Sequence, residues 1–384
     1  MTSLPLEDIR SMLGRTGADL TPGSVAGALR GLGLLVSENT VRDTVDALRR
    51  ESAGAGPLEQ LLGLRGVTDV LVNGPQHVYI DRGGGLEAVE SPFVDDDDVR
   101  RLAVRLAAVV GRRLDEGAPY VDARLPDGTR VHALLGVLTD VGTCLSLRVP
   151  ARTSLTLDDW VTNRTMHPEA ARLLQALVAA RGAFLISGGT GSGKTTLLAT
   201  LLGLVDRSHR IVVVEDSREL APAHPHVLRL EARPANAEGA GAVDLATLVR
   251  QALRMRPDRL VVGEVRGAEL ADLLAALNTG HEGGCGTVHA NSAADVPARL
   301  EALAALGGLP RAALHAQAAA ALDVLVHITR LPDGRRWVQE LSLLQWDEAA
   351  ALCRPVPGWE FPPCGDPVQH PGAAELAKAL RWPR

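Results

Sequence analysis

The sequence predicts an α/β fold built around a phosphate-binding loop, and three observations carry that prediction. An apolar stretch, Ala183 to Ile186, runs into Gly188-Gly189-Thr190-Gly191-Ser192-Gly193-Lys194-Thr195-Thr196 and then into Leu197-Leu198-Ala199, the strand, loop and helix order that such a loop requires. Strand-like and helix-like stretches alternate from about Ser154 to Trp346, as in parallel sheets with crossover helices. The 384 residues, 46% of them hydrophobic, suffice for a large core divided over two or three domains.

Residues 1–56 read as a helical leader and linker, with Leu6, Ile9 and Leu13 at helical spacing and a second amphipathic stretch from Val41 to Leu48. The run Ser52-Ala53-Gly54-Ala55-Gly56-Pro57 is linker-like. Residues 57–150 form a smaller domain of short strands around one helix, beginning with strands over Val67–Val72 and His77–Asp81. The acidic run Asp95 to Asp98 opens a helix over Val99–Val110, where negative charge complements the N-terminal end of the helix dipole; a metal site there is the weaker reading. Leu125-Pro126-Asp127-Gly128-Thr129-Arg130 predicts a hairpin through its Asp-Gly turn.

Residues 151–346 make the larger domain, with strands over Ala183–Ser187, Arg210–Val214, Leu260–Gly263, Gly286–His289 and Val324–Ile328. A helix over Leu245–Met255 is capped by Asp244. Residues 347–384 are rich in proline and read as an irregular tail.

Composition narrows the function classes. A net charge of -6 and 3% aromatic residues argue against general or sequence-specific nucleic-acid binding, and the basic pairs Arg112-Arg113 and Arg335-Arg336 read as solvated surface. No run of 18 apolar residues is present, and Met1 is followed by Thr2-Ser3-Leu4-Pro5 rather than a basic and then apolar leader, so a cytoplasmic chain is expected. Cys144, Cys285, Cys353 and Cys364 lie far apart without metal-ligand spacing, as free thiols in a reducing compartment do.

In the loop, glycines let backbone N–H groups converge on phosphate oxygens, Lys194 reaches the β and γ phosphates, and Thr195 offers its hydroxyl to Mg²⁺. The expected ligand is ATP with Mg²⁺. Ligands of open α/β sheets bind at the carboxyl ends of the strands, and there stand Glu215, after Ile211–Val214, and Glu264, after Leu260–Gly263. Glu264 is favoured as the residue that orients water, with Glu215 as its rival or as an outer Mg²⁺ ligand; Gly263 occupies the place where many such proteins carry Asp. His281 and His289 flank a strand, with His289 on the edge of Glu264, suited to sensing the terminal phosphate. His281, Cys285 and His289 match no zinc spacing.

Together these residues resemble the secretion ATPases of the type II and type IV systems, most closely the CpaF-like branch of Tad/Flp pilus assembly. The resemblance extends over roughly Leu58 to Leu344. It rests on Val72-Asn73-Gly74-Pro75, Val121 through Gly128, the loop at Lys194, Arg210 through Asp216, and Ala252 through Glu269; the segment with His281 and His289 is similar to that family's histidine box. It implies a hexameric ring of two-lobed subunits, each with a PAS-like N-terminal domain and a RecA-like motor domain, acting on an inner-membrane platform protein from the cytoplasmic face. It also implies that Arg124, Arg130 and Arg148 close over the phosphates, a task suited to an always-charged planar guanidinium. Gly284-Cys285 departs from the family pattern, and neither the leader nor the tail is covered. The function implied is Mg²⁺-dependent ATP hydrolysis powering pilus assembly or protein secretion; the alternatives are a conjugation-type ATPase of DNA transfer and a slow nucleotide-binding scaffold or regulator.

Overall fold

The computed structural model describes residues 21–34, 54–149, 155–233 and 240–380, together with residues 9, 12, 36, 37, 40–42, 44, 45 and 235. The chain divides into two units, Met1–Ala151 and Arg152–Arg384. In the leader, helix α1 (Pro22–Gly31) starts at Thr21, whose hydroxyl accepts from the Ser24 amide, and has Pro22 at its first position. Its Val25, Ala28 and Leu29 pack with Ile9 and Val45. Leu6 and Leu13, like residues 46–48 of the second amphipathic stretch, lie outside the described residues.

After the short helix α2 (Glu59–Leu62), the first unit is a six-stranded antiparallel sheet. Its strands are β1 (Asp69–Asn73), β2 (Val78–Asp81), β3 (Leu86–Val89), β4 (Tyr120–Arg124), β5 (Arg130–Leu134) and β6 (Cys144–Arg148), in the order β3-β2-β1-β6-β5-β4. Alternate residues such as Val70, Val72, Leu145 and Leu147 are buried against Val99, Leu102 and Leu106 of helix α3 (Asp96–Val109), so one face of the sheet forms the core. Asp95 caps that helix by accepting from the Asp98 amide, and Asp96 accepts from the Thr143 amide (2.5 Å) and hydroxyl (3.1 Å). The acidic run thus anchors the helix to the loop before β6. The β4–β5 turn closes as its sequence implies, with Asp127 accepting from the Thr129 amide and hydroxyl.

The second unit is a nine-stranded sheet in the order β15-β14-β13-β12-β7-β11-β10-β8-β9. Strands β7 (Phe184–Gly188), β8 (Ile211–Glu215), β9 (Val227–Glu231), β10 (Arg259–Val262), β11 (Cys285–His289) and β12 (Val324–Arg330) are parallel; β13 (Arg336–Asp347), β14 (Leu352–Glu360) and β15 (Val368–Gln369) continue the sheet antiparallel. Every residue of β7, β8 and β10 is buried because helices cover both faces. One face carries α4 (Leu157–Thr162), α5 (Pro168–Ala179) and α6 (Lys194–Leu202). The other carries α7 (Leu245–Leu253), α8 (Glu269–Leu277), α9 (Val296–Leu306) and α10 (Arg311–Ala321).

The reading of residues 347–384 as an irregular tail is corrected. β14 pairs with β13 from Asp347↔Leu352 to Glu340↔Glu360, and Phe361 and Leu376, the latter on α11 (Ala373–Ala379), are fully buried. Pro355 and Pro357 fit within this strand because they are two residues apart, which places both missing N–H groups on the edge turned away from β13. β9 and β13 also lay outside the expected strands.

Candidate nucleotide site

The site lies at the carboxyl ends of β7, β8, β10 and β11. β7 ends at Gly188, and α6 begins six residues later, capped by Gly193 at φ +99° with Gly191 at φ +71°, conformations that L side chains resist. Open space lies over Gly189 and Gly191, where an added Cβ would meet nothing within 4 Å. The first N–H groups of α6 lack partners within the helix, the feature of a helix start that suits an anion.

Lys194 is 7% exposed, and its Nζ donates to the carbonyls of Gly188 and Gly189, both at 2.9 Å. Burial pushes its ammonium down from the ordinary lysine value, opposed by Glu264 and assisted by Arg266. A third contact, at 3.4 Å, reaches Nδ1 of His289. The other nitrogen of that ring, Nε2, stands 2.8 Å from Oε1 of Glu264. Burial and then the Lys194 charge hold the imidazole below its ordinary range. The neutral ring therefore accepts from lysine at Nδ1 and donates to glutamate at Nε2.

Backbone pinning explains why these groups meet. The Thr287 hydroxyl donates to the Gly263 carbonyl at 2.6 Å, and the Val265 amide donates to the Thr287 carbonyl at 2.8 Å. The loop carrying Glu264 is thereby held against β11, two residues before His289. Arg266 donates to the second Glu264 oxygen at 2.7 Å and lies 3.7 Å from Asp216. Thr287 and Arg266 were not singled out from the sequence, although Arg266 stands two positions after Glu264, on the same side of an extended loop.

Glu215 is 4% exposed, and its Oε1 accepts from the amides of Glu219 (3.0 Å) and Leu220 (2.9 Å), fastening the loop after β8. Thr190, Ser192 and Thr196 complete the loop around Lys194, with Ser192 buried. The Thr195 hydroxyl has no hydrogen-bond partner among the described residues. Among the described residues no group of three His, Cys, Asp or Glu is arranged to hold a metal.

His281 is not brought to this cluster. It precedes β11, contacts the Ala276 carbonyl at 3.2 Å, and is separated from His289 by the whole strand, four steps of about 3.3 Å each.

Arg124, Arg130 and Arg148 belong to the first unit, where they form one row. Arg124 pairs with Arg130 across β4–β5, Arg130 with Arg148 across β5–β6, and Arg148 with Asp69 across β6–β1, so the four side chains share a face. Arg148 Nε lies 2.9 Å from Asp69, at a groove of about 220 Å³ that Asp122, Arg130 and His132 also line. Concentrated guanidinium charge of this kind suits a phosphate ligand.

Residues 51–354 match the family model described as Type II/IV secretion system protein. A Mycobacterium tuberculosis protein that carries the name putative conjugal transfer protein is 53% identical over 320 residues, 82% of this chain and 91% of the relative. The type IV secretion system protein PtlH of Bordetella pertussis is 32% identical over 300 residues, covering 71% and 88%. Among solved structures, the pilus retraction motor PilT with bound ADP has the same fold at a TM-score of 0.54 and 21% identity, over 74% of this chain and 81% of that one.

Proposed function

Starting from the fact that this chain belongs to the type II/IV secretion system protein family, we propose that it is a Mg²⁺-dependent ATPase that drives pilus assembly or protein secretion. The contiguous chain Lys194–His289–Glu264 beside an open P-loop carries the proposal. The α6 amides and Lys194 bind the phosphates, with Lys194 exchanging the Gly188 and Gly189 carbonyls for phosphate oxygens. Glu264 orients the attacking water and takes up its proton. His289 sits between Lys194 and Glu264, so a shift of the lysine toward phosphate is transmitted to the carboxylate. Glu215 acts as a positioning residue through its hold on the loop after β8.

The residues fit a Mg²⁺–nucleotide. The open space over Gly189 and Gly191, the unengaged Thr195 hydroxyl and the nearby carboxylates form the oxygen-rich setting that a hard cation requires. Thr195 would hold the ion directly and Glu215 from the outer shell. Bound Mg²⁺ would neutralise charge on the phosphates.

The row Arg124, Arg130 and Arg148 supports a role in closing over the phosphates, and a hexameric ring at an inner-membrane platform follows from the family resemblance. Peripheral attachment at the cytoplasmic face follows from the same resemblance; among the described residues no helix is long and apolar enough to cross a membrane. A DNA-transfer machine is the second reading, favoured by the name of the relative at 53% identity. Deleting the gene, then scoring surface filaments by electron microscopy and plasmid transfer by mating, separates the two.

ATPase assays test the core claim. Glu264→Gln should retain nucleotide binding and lose about 10²-fold in kcat. A wild-type rate no greater than that of Glu264→Gln overturns the motor reading in favour of a slow scaffold.

A further inference from the structure

Arg336 lies against the P-loop. It opens β13 directly opposite Arg330, the last residue of β12, across a turn closed by the Leu331 amide on the Arg335 carbonyl at 2.7 Å. The next residue, Trp337, is buried and donates from Nε1 to the Phe361 carbonyl at 2.6 Å, which fixes the strand at this point. The Arg336 side chain crosses Gly193, where an added Cβ would stand 2.8 Å from Cδ and 3.5 Å from Nε. The reading of Arg335-Arg336 as solvated surface is therefore corrected: Arg335 pairs with Asp333 at 2.6 Å, whereas Arg336 is half-buried at the mouth of the nucleotide site.

The guanidinium of Arg336 is short of negative charge. Among the described residues no hydrogen-bond acceptor or carboxylate pairs with it. Burial pushes its pKa down, and Arg330, a neighbouring charge of like sign, pushes it the same way. Holding a half-buried cation beside another cation is costly unless an anion completes the site. The position selects the anion. Lys194 occupies the strand side of the loop, at the Gly188 and Gly189 carbonyls, whereas Gly193 caps the helix whose amides take the α and β phosphates.

We propose that Arg336 is a nucleotide-binding residue that contacts the α and β phosphates from within the second unit. This assignment rests on the nucleotide reading above and extends it to a residue outside the P-loop. Because ADP and ATP share these phosphates, Arg336 should contribute equally to both.

Equilibrium titration of the full chain with fluorescent ADP and ATP tests it, with Arg336→Met keeping the apolar stem and Arg336→Lys keeping the charge. Arg336→Met should weaken both nucleotides by about tenfold, as expected for loss of a charge-assisted hydrogen bond, and Arg336→Lys by less. The melting temperature without ligand should not fall, since no acceptor is left unpaired. Wild-type affinity in Arg336→Met, or a loss confined to ATP, overturns the assignment. If Arg336→Met does not fold, equal weakening of ADP and ATP in Arg336→Lys supports it, and unchanged affinity there overturns it. Lys194→Ala is the control: a wild type that binds neither nucleotide, or binds no better than Lys194→Ala, sinks the nucleotide reading itself.

Discussion

The Glu215 side chain fills the space beside Gly263: a Cβ added to Gly263 would stand 2.6 Å from Glu215 Cγ and 3.1 Å from Oε1. The glycine just before Glu264 therefore has a steric cause. An aspartate cannot stand there while Glu215 reaches across from β8 to the amides of Glu219 and Leu220. Gly263→Ala should displace that carboxylate from its two donors. A loss of about 1–3 kcal/mol in urea unfolding is expected from overpacking, and a fall in kcat of at least about tenfold from misplacement of Glu264. Unchanged stability and rate would show that the loop accommodates a side chain freely.

The His289 environment sets a pH dependence whose sign can be derived. Burial and the Lys194 charge hold the imidazole below its ordinary value of 6.5. The folded chain thus binds fewer protons here than the unfolded chain. The stability contributed is complete above the unfolded value and is lost as pH falls through the folded one. Catalysis follows the same direction, because an imidazolium can no longer accept from Lys194. The kcat profile should show an acid limb with its midpoint below 6.5, and His289→Gln should lower the plateau and remove that limb. An identical limb in the variant assigns it to another group.

The arginine row offers a separable test. Arg130 is central, paired across strands with both Arg124 and Arg148, and its side chain is exposed. If the row meets phosphate, Arg130→Ala should lower kcat/KM by about tenfold, the scale of one charge-assisted contact. Removing one of three like charges from an exposed face should leave the melting temperature unchanged or raise it. Wild-type kcat/KM in the variant removes Arg130 from the nucleotide site.

Legibility in the sequence followed the locality of the physics. The β7–α6 segment was readable because its apolar run, glycines and Lys194 are consecutive, and the Asp127-Gly128 hairpin because turn chemistry acts over a few residues. His289 and Glu264 could be assigned to one sheet edge, since strand ends order themselves that way. Their hydrogen bond depends on Thr287 pinning Gly263, a contact across 24 positions that no local pattern displays. His281 was grouped with His289 by proximity in sequence, and β11 carries them to opposite ends. Arg336 looked like half of a surface pair because its burial is decided by Gly193, far away in the chain.

The C-terminal segment departs from its proline-rich pattern for a physical reason that stability measurements can probe. Prolines at 355, 357, 362 and 363 suppress a strand assignment, yet those at 355 and 357 face the edge of β14 that makes no bonds to β13. Phe361 then enters the core beside Trp337 and Trp359, and its carbonyl accepts from the Trp337 indole. Because Trp337 follows Arg336, this contact also anchors the strand that carries the proposed phosphate contact. Phe361→Ala should cost about 3–5 kcal/mol in urea unfolding, the range for a fully buried aromatic replaced by a cavity. It should also weaken ADP binding through a loosened Arg336. Phe361→Leu, which keeps most of the volume, should recover most of both. An unfolding midpoint unmoved by Phe361→Ala would mean that the segment is an appendage after all.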